Sequence, residues 1–191
     1  MKKFLLSFIL ISYFSFSQVS DYHGFMNFSY NDDSGKIILE IDNLDTEFLY
    51  INSLSRGVGN NDLGLDRGQL GNSRIVYFTK RGNKILLIQP NLRYISTSSN
   101  NLENKAVEEA FARSVLFGFE IIEKSEDSYK VDLTPFLIND AHGVSLRLKY
   151  LKSGSYTLNK SMSAIDLERT KSFPENIEFD VLLTLTGNPS R

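Results

Sequence analysis

The segment SRIVYFTKRGNKILLIQP, residues 73–90, decides the fold class. Two short runs rich in Ile, Val, Leu, Tyr and Phe, 73–80 and 84–90, flank the turn Arg81-Gly82-Asn83. Runs of this length and composition read as strands, and a glycine-containing three-residue loop between them makes an antiparallel hairpin. Pro90 has no amide hydrogen to give to a ladder, so it ends the second strand.

Strand-like segments recur on both sides of this hairpin. FMNFSY (25–30) and KIILEID (36–42) flank the loop NDDSG and read as a second hairpin. Ile37, Leu39 and Ile41 share one face of the second strand; Lys36, Glu40 and Asp42 share the other with Ile38. EFLYINSL (47–54) is apolar on both faces, which predicts a central strand. NLRYIST (91–97) is compatible with a further strand. FEIIEK (119–124) and YKVDL (129–133) pair around SED, and SYTLN (155–159), MSAIDLER (162–169) and NIEFDVLLTLT (176–186) return to strands. The last alternates Phe179, Val181, Leu183 and Leu185 on one face.

NNLENKAVEEAFARSVLFGF (100–119) breaks the period of two. Val107, Ala110, Phe111 and Ser114 fall at helical spacing, predicting an amphipathic helix over about 101–117 that packs on a sheet. Asn100 with Glu103 resembles a capping box, Glu109 and Arg113 form an i,i+4 pair, and Gly118 supplies a stop. TPFLIND (134–140) suits a short helix with Thr134 as N-cap and Pro135 at the first helical position. GVSLRLKYL (143–151) suits a second, so short helices are expected near 134–151. With no repeat or linker, residues 18–191 read as one α+β domain, mainly antiparallel β-sheet.

The N-terminus reads differently. MKKFLLSFILISYFSFSQ has two lysines, an apolar run from Phe4 to about Phe14, and Ser15 and Ser17 placed three and one positions before a cut ahead of Gln18. Residues 1–17 are therefore expected to be a signal peptide, and the chain to be exported to the periplasm, the outer surface or the medium. The apolar run is shorter than the roughly 20 residues a bilayer span requires. No other segment approaches that length, so a membrane-spanning chain is not expected. Losing Lys2 and Lys3 takes the formal charge from −2 to −4. A mildly acidic chain without a basic stripe is not expected to bind nucleic acid. The absence of cysteine excludes disulfides, thiolate metal sites and a cysteine nucleophile.

Recognisable catalytic motifs are missing. The two histidines stand in DYHGF (His23) and DAHGV (His142), and neither begins H-E-x-x-H. GNSRI (71–75) lacks the second glycine of a nucleophile elbow, and no phosphate-binding loop followed by a helix occurs. Asp140 could orient His142 as a general base. The simpler reading makes DAHG a turn between two short helices, with both side chains bonding free backbone groups and Gly143 permitting the reversal. In RGVGNNDLGLDRGQLG (56–71), Asn60, Asp62 and Asp66 could offer oxygens to calcium, but the order is not that of a calcium loop and no glutamate closes it. The reading adopted is a long loop pinned to the sheet by a charge-assisted bond of Asp66 and Arg67, open to an interdomain contact. No catalytic residue, metal ligand or cofactor is assigned; Asp66, Arg67, Asp140 and His142 are candidate structural or interdomain contacts.

Several unusual elements occur in a fixed order: GLDRGQLG (64–71), KILLIQPNLRY (84–94), AVEEAFARSVLFGF (106–119), VDLTPFLINDAHGV (131–144), SGSYTL (153–158) and RTKSFPENIEFDVLLTLTG (169–187). Together they resemble an N-terminal domain of unknown function found upstream of the zincin catalytic domain in large secreted bacterial zinc-dependent metalloproteases. No H-E-x-x-H occurs within residues 1–191, so no zinc ligand or catalytic glutamate carries over. The resemblance implies a non-catalytic accessory domain that packs on, or assists folding of, a metalloprotease catalytic domain. The alternative expectation is a free-standing extracytoplasmic module that binds peptide or glycan.

Overall fold

The computed structural model describes residues 18–190, so the expected signal peptide, 1–17, lies outside them. Twelve strands are present among the described residues: β1 (Val19–Tyr22), β2 (Phe28–Asn31), β3 (Lys36–Ile41), β4 (Phe48–Tyr50), β5 (Arg74–Arg81), β6 (Lys84–Gln89), β7 (Ser114–Lys124), β8 (Tyr129–Asp132), β9 (Gly154–Leu158), β10 (Ala164–Ser172), β11 (Ile177–Leu182) and β12 (Leu185–Pro189). The helices are α1 (Asn101–Ala110), α2 (Thr134–Leu137) and α3 (Val144–Tyr150). The 73–90 hairpin forms as β5 and β6, with Gly82 at φ 59 in the turn, a conformation that favours glycine.

Eight strands form one antiparallel sheet in the order β1-β2-β3-β8-β7-β6-β5-β4, curled into a half-barrel. Two meanders, β1–β3 and β4–β8, lie side by side and join where β3 pairs with β8. The curl follows from chain length. The edge strand β4 lies five inter-strand steps from β3, about 24 Å across a flat sheet. The link between them is only residues 42–47, and it turns at Asp45, whose φ is 56 and whose amide donates to the Phe78 carbonyl at 2.7 Å. A turning link of that length cannot span a flat sheet. Phe25, between β1 and β2, therefore meets Phe48 of β4 edge to face, with centroids 6.2 Å apart.

Inside the curl lie Ile37, Leu39, Ile41, Val76, Phe78, Ile85, Leu87, Phe119 and Val131, all buried. The hairpin β10–β11 covers the open side, where Phe179 sits 4.9 Å from Phe28. Its register shifts between Asp166 and Lys171, and Thr170 is buried there. The Thr170 hydroxyl donates to the Asp166 carbonyl and accepts from the Asp180 amide, so the bulge leaves no polar group unpaired at that position.

Several expectations need correction. The segment 47–54 yields the three-residue edge strand β4, not a central one; its Leu49 faces solvent. Residues 91–97 form a loop. The helix over 100–119 stops at Ala110, and 114–124 is strand, because β6 offers a partner ladder from Gln89 to Lys84 that β-prone Val115 to Phe119 fits better than a helix. Gly118 is thus no helix stop; it lies in β7 opposite Leu86. Glu109 pairs with Lys105 at 3.6 Å instead of Arg113, and α1 buries none of its residues, so it is not a helix packed on the sheet. Thr134 does not cap α2: Leu133 occupies that position, and the Thr134 hydroxyl accepts the Ile37 amide. The run 176–186 splits into β11 and β12, which belong to different small sheets.

Phe119 contacts Phe78, Phe117 and Phe136 in the core. Phe119→Ala is expected to cost about 3–5 kcal/mol, measured by urea unfolding followed by circular dichroism.

Candidate functional site

The glycine-rich loop and the DAHG turn, far apart in sequence, come together in space. Asn60 opens the loop by capping a 3-10 turn, Asn61–Leu63, through a bond from the Asp62 amide. Leu63 and Leu65 turn inward and share a small core with Val144 of α3, flanked by Leu54, Leu148 and Leu185. Arg147 of α3 donates to the Leu63 carbonyl at 3.1 Å, and Asn52 donates to the Ala141 carbonyl at 3.5 Å. Backbone bonds tie the loop to the preceding segment: Val58 to Leu65, Leu54 to Gln69, Gly68 to Leu54 and Gly71 to Asn52.

This arrangement corrects the expected Asp66–Arg67 anchor. Both side chains are exposed and neither enters an ion pair among the described residues. Only the Asp66 backbone is engaged, donating to the Gln69 side chain at 3.2 Å and accepting from its amide. Buried leucines and backbone bonds hold the loop.

Asp140 and His142 sit in the turn before α3. The two Asp140 oxygens accept from the Val144 and Ser145 amides, at 2.8 and 2.9 Å, satisfying donors that the helix start leaves free. Gly143, at φ 65, makes the reversal. No hydrogen bond joins Asp140 to His142, and the buried His142 Nε2 has no partner, among the described residues. The carboxylate acts on the helix start instead of orienting the imidazole. No group of three or more His, Cys, Asp or Glu able to hold a metal occurs among the described residues.

A second feature escaped the sequence reading. The beginning of β5, the end of β6, loop residues 91–94 and residues 110–114 enclose a cleft of about 590 Å³. Tyr94 and Phe111, both in its lining, stack directly on each other, with centroids 4.1 Å apart and planes 13° from parallel. The Arg93 guanidinium lies over the Tyr94 ring at 5.5 Å. Asn91 fixes the loop: its Oδ1 accepts from the Arg93 and Tyr94 amides, and its Nδ2 donates to the Tyr94 carbonyl. Arg74 also lines the cleft, and Arg113 donates to the Tyr77 hydroxyl at 3.0 Å. Burial pushes the Tyr50 phenol above its ordinary value, opposed by the nearby Arg74 charge, so Tyr50 stays neutral beside that arginine at neutral pH.

The signal for this cleft was present but ambiguous. Six of the ten residues from Asn91 to Asn100 are Asn, Ser or Thr, a loop composition, yet Leu92, Tyr94 and Ile95 stand among them. Apolar residues in loop-like company are exposed here: Leu92 is 56% and Ile95 68% accessible.

The family model for a domain of unknown function, DUF5117, matches residues 68–191, and the chain belongs to that family. No curated protein and no solved structure matches it. The matched range begins at Gly68, inside the glycine-rich loop, while β1–β4 before it supply half of the main sheet.

Leu65 is 1% exposed, so Leu65→Ala is expected to cost about 2–5 kcal/mol. Asp140→Ala should cost about 1 kcal/mol through the lost cap. Arg67→Ala should stay within about 0.5 kcal/mol of the parent. Chemical denaturation of the three variants checks this order; an Arg67→Ala loss matching that of Leu65→Ala would restore the side-chain anchor.

Proposed function

We propose that this chain is an exported, non-catalytic accessory domain that docks on a partner protein domain, the partner being a zinc-dependent metalloprotease catalytic domain of the kind implied by the resemblance. The observation that supports docking is α1. It has ten residues, no buried side chain and Leu102 76% exposed. A helix of about ten residues in which only Asn104 and Val107 are half-buried is marginal in water, since most helical stability in proteins comes from tertiary burial. Leu92, Ile95 and Val115, within about ten residues of its ends in sequence, are also exposed, and Leu92 lines the cleft. Exposed apolar surface of this kind characterises sites that contact another protein. The metalloprotease partner rests on the ordered motifs from GLDRGQLG to the 169–187 segment.

A second reading, an independent extracytoplasmic peptide- or glycan-binding module, draws on the same cleft. Phe111 already covers one face of Tyr94, which leaves less aromatic surface for a sugar ring and favours peptide over glycan within that reading.

The test mixes the purified chain, residues 18–191, with the catalytic domain of a secreted zinc-dependent metalloprotease in which such a domain precedes it. Co-purification and a rise in the melting temperature of either component are expected; a partner at about 100 times Kd adds about 2.7 kcal/mol of stability. Separate elution with both melting temperatures unchanged would reject the accessory role.

A further inference from the structure

Two arginines without carboxylate partners line the cleft, and a third, whose guanidinium donates to the Tyr77 hydroxyl, adjoins the lining in sequence. Arg74 and Arg93 line it, and Arg113 lies between the lining residues Ala112 and Ser114. The ion pairs among the described residues involve Lys36, Lys105, Lys130 and Arg169, and none involves these three. No aspartate or glutamate lines the cleft. Glu109, on the last turn of the adjacent helix, already faces Lys105. This is a local concentration of positive charge in a chain whose expected mature charge is −4.

We propose that the cleft is the recognition site for an acidic, apolar peptide segment of a protein partner, with Arg74 and Arg93 receiving carboxylates and the Tyr94–Phe111 pair receiving an aliphatic or aromatic side chain. This deepens the accessory-domain reading and rests on its premise that the chain docks on a protein.

Charge complementarity selects the occupant. Guanidinium groups present planar donor forks that match carboxylates, and each pair gains most where the arginine has no competing internal acid. The Asn91 bonds hold the backbone of residues 93 and 94 in place before any ligand arrives, which lowers the ordering cost of binding. The cleft walls supply both halves of the required chemistry, since apolar Leu92, Tyr94 and Phe111 alternate with charged Arg74 and Arg93. A ligand with only charge would leave the aromatic pair uncovered, and a purely apolar one would bury arginines beside no acid, which costs affinity.

The test pans a random displayed peptide library against the purified chain and measures the selected peptides by fluorescence anisotropy. Enrichment of Asp and Glu next to Leu, Phe or Tyr is expected. Arg93→Glu and the Arg74→Glu/Arg93→Glu double variant should each weaken these peptides about tenfold or more. Arg93 is exposed, so its single variant keeps the test valid if the double variant misfolds. Tyr94→Ala should weaken binding with the acidic preference retained, whereas Leu146→Asp, on α3, should leave it unchanged. Failure to select peptides, selection without acidic enrichment, equal binding to Arg93→Glu, or tighter binding of a single-stranded oligonucleotide at the cleft would each overturn the proposal. If Arg93→Glu and wild type retain the metalloprotease domain equally, docking stands and this surface is wrong. If acidic peptides occupy the cleft but the catalytic domain elutes separately, the surface stands and that partner is wrong.

Discussion

The ladder between β3 and β8 joins the two halves of this molecule. Ile38 pairs with Asp132, Leu39 with Val131, Glu40 with Lys130 and Ile41 with Tyr129. Without it, β1–β3 would be a three-stranded meander with one face bare, and β4–β8 an open sheet with an unpaired edge at β8. The junction is reinforced past the last paired residue. The Leu133 amide donates to the Ile37 carbonyl, and the Ile37 amide donates to the Thr134 hydroxyl, so β3 is held through the first turn of α2. Fully buried Ile37 and Val131 and nearly buried Leu39 place apolar surface at the seam. Closing the loop of 87 residues between Ile41 and Tyr129 costs entropy that grows only logarithmically with length, and burial of a sheet face offsets it.

From that seam the rest of the architecture follows. Pairing β8 with β3 sends β4 to the far edge, and the short 42–47 link then forces the sheet to curl. The curl brings Phe25 to Phe48 and creates one concave core. It also leaves the ends of β5, β6 and β7 free of covering strands, and the cleft forms there, between the β6–α1 loop and the chain that leads from α1 into β7. The second core, built on Leu63, Leu65 and Val144, occupies a separate corner and fixes the glycine-rich loop against α3. The chain therefore separates a stabilising corner from the exposed, arginine-lined one.

Much of the strand content was legible because alternation and turn chemistry are local. The hairpins at 25–42, 73–90 and 119–133 form with the partners that their turns dictate. The errors occur where a long-range partner overrides local preference. Residues 114–117 continue a helical pattern from α1 yet join β6, and residues 47–54 look central in composition yet lie at an edge. The four residues singled out by sequence met different fates. Asp140 accepts the first amides of α3, Asp66 and Arg67 form no ion pair among the described residues, and His142 has one buried ring nitrogen unpartnered among them. The exposed loop at 91–100 left an ambiguous trace in the sequence, but the meeting of Arg74, Arg93 and Phe111 was illegible because they lie on different elements and no spacing rule connects them.

By itself the sequence determined the mainly antiparallel β-sheet class of fold and the positions of most turns, because period-two alternation and glycine and proline placement act over a few neighbouring positions. Tertiary structure alone decided the order of the strands, the end of α1 and the meeting of Arg74, Arg93, Tyr94 and Phe111. Those depend on which distant ladder is completed and which apolar face is covered, quantities set by the whole chain at once.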